Sequence, residues 1–139
     1  MKAKIHHTFL IDDNKTTNFL NQYLLLKYGT FGQIHKFESG ASAISFFEEY
    51  NTQLHQRTIL IFLDIHMPTM NGWELLRQLK QLDKNYSFNL KVIILSTANE
   101  TWFQKKRLRF DFVIEWIKKP LSIEKLDRVI AKQFALRIS

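Results

Sequence analysis

The sequence predicts an α/β domain in which a five-stranded parallel sheet carries helices on both faces. Segments typical of strands and of helices alternate five times along the 139 residues. Two of the strand-like segments, ILIFL at 59–63 and VIIL at 92–95, are apolar throughout, as is typical of parallel strands buried on both faces. The chain contains no linker-like, repetitive or low-complexity stretch, so one domain spanning residues 1–139, with no output domain, is expected.

The first half of the chain predicts two strand–helix pairs. The first strand runs over 5–11 and ends at Asp12-Asp13, and Asn14 is a suitable N-cap for a helix that ends at Gly29. This helix is predicted from apolar residues at helical spacing, namely Phe19, Leu20, Tyr23, Leu24 and Leu26. A second strand is expected over 33–37 and a second helix from Ser39 to Tyr50, followed by a polar loop at 51–57.

The second half predicts three more strand–helix pairs. The third strand covers 58–64, and after Met67-Pro68 a helix over 71–82 turns its apolar residues inward: Trp73, Leu75, Leu76 and Leu79. A fourth strand is expected over 90–97 and a short fourth helix around NETWFQKKRLRF at 99–110. The fifth strand covers 111–119 and ends before Pro120, and Ser122 with Glu124 opens a last helix that reaches about residue 135.

Composition excludes several classes of site. Without cysteine the chain has no disulfide, thiol nucleophile or thiolate metal site, and the scattered histidines (6, 7, 35, 55 and 66) do not predict a histidine metal site. No apolar stretch approaches the roughly 20 residues of a membrane helix, and no signal peptide is apparent, so a cytoplasmic location is expected.

The net charge of +7 is concentrated late in the chain, with QKKRLR at 104–109 on the predicted fourth helix. This run is either a solvated face or a surface for an acidic protein partner. Nucleic acid is unlikely as a partner because no DNA-binding motif is present.

Polar side chains follow four of the predicted strands. Asp12 and Asp13 end the first, Asp64 the third, Ser96 and Thr97 the fourth, and Lys118 and Lys119 the fifth. The carboxyl ends of parallel strands form one edge of the sheet, where ligands of such folds bind. Three carboxylates meeting there would need a cation, and oxygen ligands suit Mg²⁺. One carboxylate could then attack a phosphoryl group and form an aspartyl phosphate.

Four segments in order resemble the receiver domain of two-component response regulators: FLIDDN at 9–14, LDIHMPTMNG at 63–72, VIILSTAN at 92–99 and WIKKPL at 116–121. The resemblance covers nearly the whole chain. It implies a CheY-like, flavodoxin-like doubly wound (βα)5 fold with parallel strand order 2-1-3-4-5.

The resemblance also implies roles for individual residues. Asp64 would be the phosphoacceptor, with Asp13 binding Mg²⁺ directly, Asp12 mainly through water, and the backbone carbonyl of His66 as a further ligand. Thr97, which precedes Ala98, would be the switch hydroxyl, and Lys119, which precedes Pro120 in a peptide that is commonly cis in this family, would bind the phosphoryl group. The remaining positions are Trp116, where the family usually has Tyr or Phe as the switch aromatic, and His66 with Asn99, which would tune the lifetime of the phosphoryl group.

The function implied is that of a stand-alone phosphoacceptor switch. A histidine kinase or histidine phosphotransfer protein would phosphorylate Asp64, and the surface of the fourth helix, fifth strand and fifth helix would change in response. Such a protein catalyses only its own phosphorylation and dephosphorylation and is not a conventional enzyme. Two alternatives remain open: an interaction scaffold of the same fold that never uses phosphate, and a phosphoaspartyl hydrolase, which would want an acid where His66 stands.

Overall fold

Five strands form one parallel sheet, as the sequence predicts. The computed structural model describes residues 4–67, 71–97 and 109–134. The strands are β1 His7–Ile11, β2 Gln33–Phe37, β3 Thr58–Asp64, β4 Asn89–Ser96 and β5 Val113–Lys118. All four neighbouring pairs are parallel, and the order is β2-β1-β3-β4-β5, which confirms the flavodoxin-like topology.

The described helices are α1 Lys15–Tyr28, α2 Gly40–Glu49, α3 Asn51–Leu54, α4 Gly72–Tyr86 and α5 Ile123–Phe134. Side-chain caps fix where four of them begin. A hydrogen bond from a backbone N–H in the first turn of α1, α2, α4 and α5 is accepted by the side chains of Asn14, Ser39, Asn71 and Ser122, respectively. Gly29 ends α1 with a φ of 94°, a conformation that glycine adopts without a steric penalty.

Two apolar layers cover the faces of the sheet. On one face, residues such as Ile59, Ile61 and Leu63 of β3 pack with α2 and α4. On the other, Leu60 and Phe62 pack with Leu25 of α1 and with the inward residues of α5. Residues 59–64 of β3 are all buried, so the strand that carries Asp64 is held from both sides. A side chain at its end therefore projects from a rigid support.

The structure differs from the sequence prediction at several element ends. Helix α4 continues four residues beyond the predicted end at 82, and Tyr86 in that extra turn packs against the core. The predicted polar loop after α2 contains α3, which buries Leu54 at 1% exposure. β1 begins at His7 rather than Ile5, and Trp73 is only partly buried. The extra turn of α4 and the helix α3 each place an apolar side chain, Tyr86 or Leu54, against the core, which their polar sequences do not indicate. Most of the predicted fourth helix lies outside the described residues.

Helix α1 is amphipathic in the opposite sense to a usual surface helix. Its buried residues are Asn18, Asn21 and Leu25. Four large apolar side chains instead face solvent with 54% to 64% of their surface exposed: Phe19, Leu20, Tyr23 and Leu26. The apolar spacing therefore predicts the helix correctly but does not identify its buried face. Among the described helices, none is long and apolar enough to cross a membrane.

Candidate functional site

The register of the sheet brings the polar strand ends to one edge. Leu63 pairs with Ile11, so the residues that follow lie side by side, with Asp12 directly after β1 and Asp64 as the last residue of β3. Ser96 of β4 pairs with Lys118 of β5, which places the start of the β5–α5 loop at the same level. The backbone N–H of Lys119 donates to the carbonyl of Ser96 at 3.0 Å and joins this loop to the end of β4. We call this region the carboxyl edge.

Three carboxylates meet at the carboxyl edge. One oxygen each from Asp12, Asp13 and Asp64 lies within 4.8 Å of the other two. Asp12 and Asp64 are 3% and 4% exposed, whereas Asp13 is open to solvent. Buried carboxylates are uncommon unless a cation compensates them. The cluster therefore needs positive charge, with access from the side of Asp13.

Lys119 supplies part of that charge. Its ammonium Nζ lies 3.2 Å from Oδ1 of Asp64 and 3.4 Å from Oδ2 of Asp12. The peptide between Lys119 and Pro120 is cis, as the resemblance implies. Of Lys118 and Lys119, it is Lys119 whose ammonium contacts the acids, and its binding of a phosphoryl group stays a prediction.

Two backbone amides fix the carboxylate orientations. The N–H of His66 donates to Oδ1 of Asp64 at 3.1 Å, and the N–H of Asn14 donates to Oδ1 of Asp12 at 2.9 Å. Gly72, at the start of α4, lies close to the backbone of Ile65, and its N–H donates to the Ile65 carbonyl at 3.0 Å. A Cβ on Gly72 would lie 2.7 Å from the Cα of Ile65, so only glycine fits there.

The electrostatics favour a divalent cation. Burial and the neighbouring charge of Asp64 raise the pKa of Asp12, while the Asn14 N–H and Lys119 oppose that shift. With all three carboxylates ionised, one lysine leaves a local charge of about −2. A hard dication with oxygen ligands neutralises that charge, so the residues present fit a Mg²⁺-type ion.

The structure places the remaining predicted residues as follows. Thr97 is exposed directly beyond β4, whereas Ser96 before it is fully buried. Trp116 is half-buried in β5 and packs against the α2–α4 side of the core, and its buried indole N–H finds no hydrogen-bond acceptor among the described residues. His66 is exposed beside Asp64. Pro68 and Asn99 lie outside the described residues, so the tuning role of Asn99 stays a prediction.

Two side chains near the site were not identified from the sequence. Asn18 of α1 donates to the backbone carbonyls of Asp12 and Phe37, and Lys125 of α5 donates at 2.7 Å to the carbonyls of Lys118 and Pro120. Asn18 thus holds the backbone at Asp12, and Lys125 holds the backbone on both sides of Lys119. The sequence of α1, KTTNFLNQYLLLKY, contains several polar residues, and no local signal distinguishes Asn18 from the others.

Comparison with known proteins gives a consistent result. The family described as the response regulator receiver domain matches residues 8–131. A two-component response regulator from Cytophaga hutchinsonii is similar in structure, with a TM-score of 0.79 and 31% identity over 94% of this chain and 97% of that one.

Two curated relatives differ greatly in length. The chemotaxis protein CheY of Bacillus subtilis is 27% identical over 84% of this chain and 98% of its own length. Hybrid signal transduction histidine kinase L of Dictyostelium discoideum is 29% identical over 88% of this chain, which spans only 7% of that kinase. The matched unit thus occurs in proteins of different sizes.

Proposed function

The chain belongs to the response regulator receiver family of two-component systems, and we propose that it is a switch phosphorylated on Asp64. The observation that supports this most directly is the contact of one ammonium with two buried carboxylates beside a third, exposed one. This arrangement concentrates negative charge around Asp64, a buried acid at the end of a strand that is packed on both faces. The negative charge repels an anionic phosphoryl donor unless cations neutralise it. Such an arrangement suits a carboxylate that is phosphorylated only when cations are present.

The proposed reaction is transfer of a phosphoryl group from a phosphohistidine. An oxygen of Asp64 forms a bond to phosphorus while the P–N bond breaks, and the imidazole nitrogen keeps the electron pair and later takes a proton. Lys119 balances charge on the transferred oxygens, and the N–H of His66 holds the Asp64 carboxylate in place. Mg²⁺, bound by Asp12, Asp13, Asp64 and the carbonyl of His66, would lower the electrostatic barrier between the donor phosphate and the acids.

The response to phosphorylation is proposed to pass through Thr97 and Trp116. A phosphoryl group on Asp64 offers the exposed hydroxyl of Thr97 a hydrogen-bond acceptor, and the movement of Thr97 makes room for Trp116 to turn inward. Trp116 pairs with Ile94, three positions before Thr97, so the proposed switch hydroxyl and the proposed switch aromatic lie close to the same end of β4. The output surface comprises the predicted fourth helix, β5 and α5.

The exposed apolar residues of α1 are the proposed docking surface of the phosphodonor. A cleft of about 360 Å³ runs from Leu20 and Tyr23 to the Lys119–Leu121 segment, so it connects the apolar surface with the ammonium that contacts Asp64. A kinase or phosphotransfer protein that covers Phe19, Leu20 and Tyr23 would bring its phosphohistidine to the carboxyl edge.

The same proposal includes a cytoplasmic location and action as a stand-alone domain. It includes no enzymatic activity other than the protein's own phosphorylation and dephosphorylation.

Phosphorylation can be tested without knowing the partner. The purified protein is incubated with Mg²⁺ and acetyl phosphate or beryllofluoride, and tryptophan fluorescence and intact mass are recorded. We expect one added phosphoryl group and a Mg²⁺-dependent fluorescence change, both lost in Asp64→Asn. Trp73 and Trp102 also emit, so Trp116→Phe identifies the signal from the switch position.

The same experiment separates the alternatives. A folded protein that takes up no phosphoryl group and shows no response to beryllofluoride would be an interaction scaffold. Steady hydrolysis of phosphate esters would instead indicate a hydrolase.

Docking on α1 is tested by comparing two phosphodonors. Leu20→Ser and Tyr23→Ser change only exposed side chains, so phosphorylation by acetyl phosphate should match the wild type. Transfer from a phosphorylated histidine phosphotransfer protein should slow by at least tenfold if α1 is the docking surface. Equal slowing with both donors would place the defect in the site itself.

A further inference from the structure

Asn18 is a buried amide directly beneath the acid pair. It is 3% exposed and lies on the inward face of α1, where a surface helix usually carries an apolar residue. Burying an amide costs free energy unless its donors are paired. Asn18 pairs both of its side-chain donors in hydrogen bonds.

Both side-chain hydrogens of Asn18 are directed at backbone carbonyls. Nδ2 donates to the carbonyl of Asp12 at 2.9 Å and to that of Phe37 at 3.1 Å. The N–H of Asp12 donates to the same Phe37 carbonyl at 3.0 Å. Because both partners can only accept, the orientation of the amide is unambiguous. One side chain thus joins α1 to the backbone at the ends of β1 and β2.

We call these two hydrogen bonds of Asn18 the Asn18 clamp. The clamp lies just beyond the last residue of β1 that pairs with neighbouring strands. β1 ends at Ile11, so Asp12 and Asp13 lie beyond the strand pairing that would otherwise fix their backbone. Asn14, the cap of α1, holds the Asp12 carboxylate through its N–H, and its carbonyl accepts from the N–H of Asn18. A backbone shift at Asp12 would therefore move two of the three carboxylates of the cluster together.

We propose that Asn18 is a positioning residue that sets the two consecutive acids for divalent-cation binding. It does not contact the cation. It holds the Asp12 backbone so that the oxygens of Asp12, Asp13 and Asp64 converge within 4.8 Å. The inference rests on the proposed function, because it assumes that the cluster binds Mg²⁺.

The test is Asn18→Leu, which keeps the size of the side chain and removes both donors. A matched control is Asn21→Leu, since Asn21 is also buried in α1, at 7% exposure, and no described hydrogen bond joins it to Asp12 or Phe37. Asn18→Ser is prepared as a smaller alternative in case leucine prevents folding. For each variant, the Mg²⁺ dissociation constant is measured by calorimetry, and urea unfolding in EDTA confirms the fold.

We expect Asn18→Leu to weaken Mg²⁺ binding by about 10- to 100-fold, the usual effect of removing a group that orients a metal ligand. Asn21→Leu should lower stability but leave the Mg²⁺ dissociation constant unchanged. In phosphorylation by acetyl phosphate, Asn18→Leu should need more Mg²⁺ for half-maximal rate and reach the wild-type rate at saturation. A general destabilisation of α1 would not be expected to weaken Mg²⁺ binding while leaving the phosphorylation rate at saturating Mg²⁺ unchanged.

Two results would overturn the inference. One is a Mg²⁺ dissociation constant in folded Asn18→Leu and Asn18→Ser equal to that of the wild type. The other is equal weakening in Asn18→Leu and Asn21→Leu, which would show a general effect on α1.

A wild-type protein that binds no Mg²⁺ would refute the proposed function instead. Exchange of the Asp12 amide hydrogen, measured by NMR without metal, would then still report the clamp, since it should accelerate in Asn18→Leu and not in Asn21→Leu.

Discussion

Replacing Lys119 by methionine tests whether its ammonium neutralises the acid cluster. At 3.2 and 3.4 Å, with an effective dielectric constant of about 20, each of its two contacts is worth about 5 kcal/mol of Coulomb energy before desolvation. Loss of one partner of a buried ion pair typically costs about 3–5 kcal/mol. The lysine side chain is 27% exposed, so water screens part of this, and we expect a loss of about 2–3 kcal/mol in unfolding free energy at pH 7.

The assay is urea unfolding in EDTA and again in Mg²⁺. Lys119→Met changes the local charge from about −2 to about −3, so Mg²⁺ should bind more tightly and restore much of the lost stability. The matched control is Lys132→Met, which removes a more exposed pair with Glu115 at 3.4 Å and should cost less than about 1 kcal/mol. If the two variants lose the same stability in EDTA, the reasoning about the ammonium is wrong.

Three further predictions concern pH, the β5–α5 loop and phosphoryl lifetime. Burial lowers the pKa values of His7 and His35, whose ring nitrogens are 3.1 Å apart. As pH falls below 6.5, the unfolded chain therefore binds protons before the folded chain does, and the free energy of unfolding should decrease. Urea titrations of His35→Gln at several pH values should show a smaller decrease of the unfolding free energy with falling pH. Lys125→Met removes both hydrogen bonds to the loop that carries Lys119. Phosphorylation of Asp64 should then slow several-fold, while the thermal unfolding temperature should fall by only about a few degrees. His66→Ala should change the rate of Asp64 dephosphorylation, and an unchanged aspartyl-phosphate lifetime would exclude a tuning role.

Much of the fold could be predicted because its signals are local. The apolar runs of β3 and β4 and the caps at Asn14 and Ser39 depend on neighbouring residues alone. The parallel order and the convergence of Asp12, Asp64 and Lys119 follow once those strands are aligned. The predicted switch roles of Thr97 and Trp116 stay predictions, since they concern a second state of the molecule.

The short helix α3 and the last turn of α4 were missed for the opposite reason. Their sequences are polar, and each is helical because one or two side chains, such as Leu54, find space in the core. Local composition does not contain that information. The contact between His7 and His35, 28 positions apart, also depends on the pairing of β1 with β2.

The sequence by itself determined the class of the protein, because a receiver needs particular residue types at the ends of particular strands, and those can be found in a linear pattern. Only the tertiary structure decided which face of α1 is buried. Helical spacing shows that apolar residues share a surface, but it does not show which surface of the helix is covered. The buried face of α1 is the one on which Leu25 packs in the core and Asn18 donates to two backbone carbonyls, one of them 19 positions away. That orientation leaves Phe19, Leu20, Tyr23 and Leu26 to solvent.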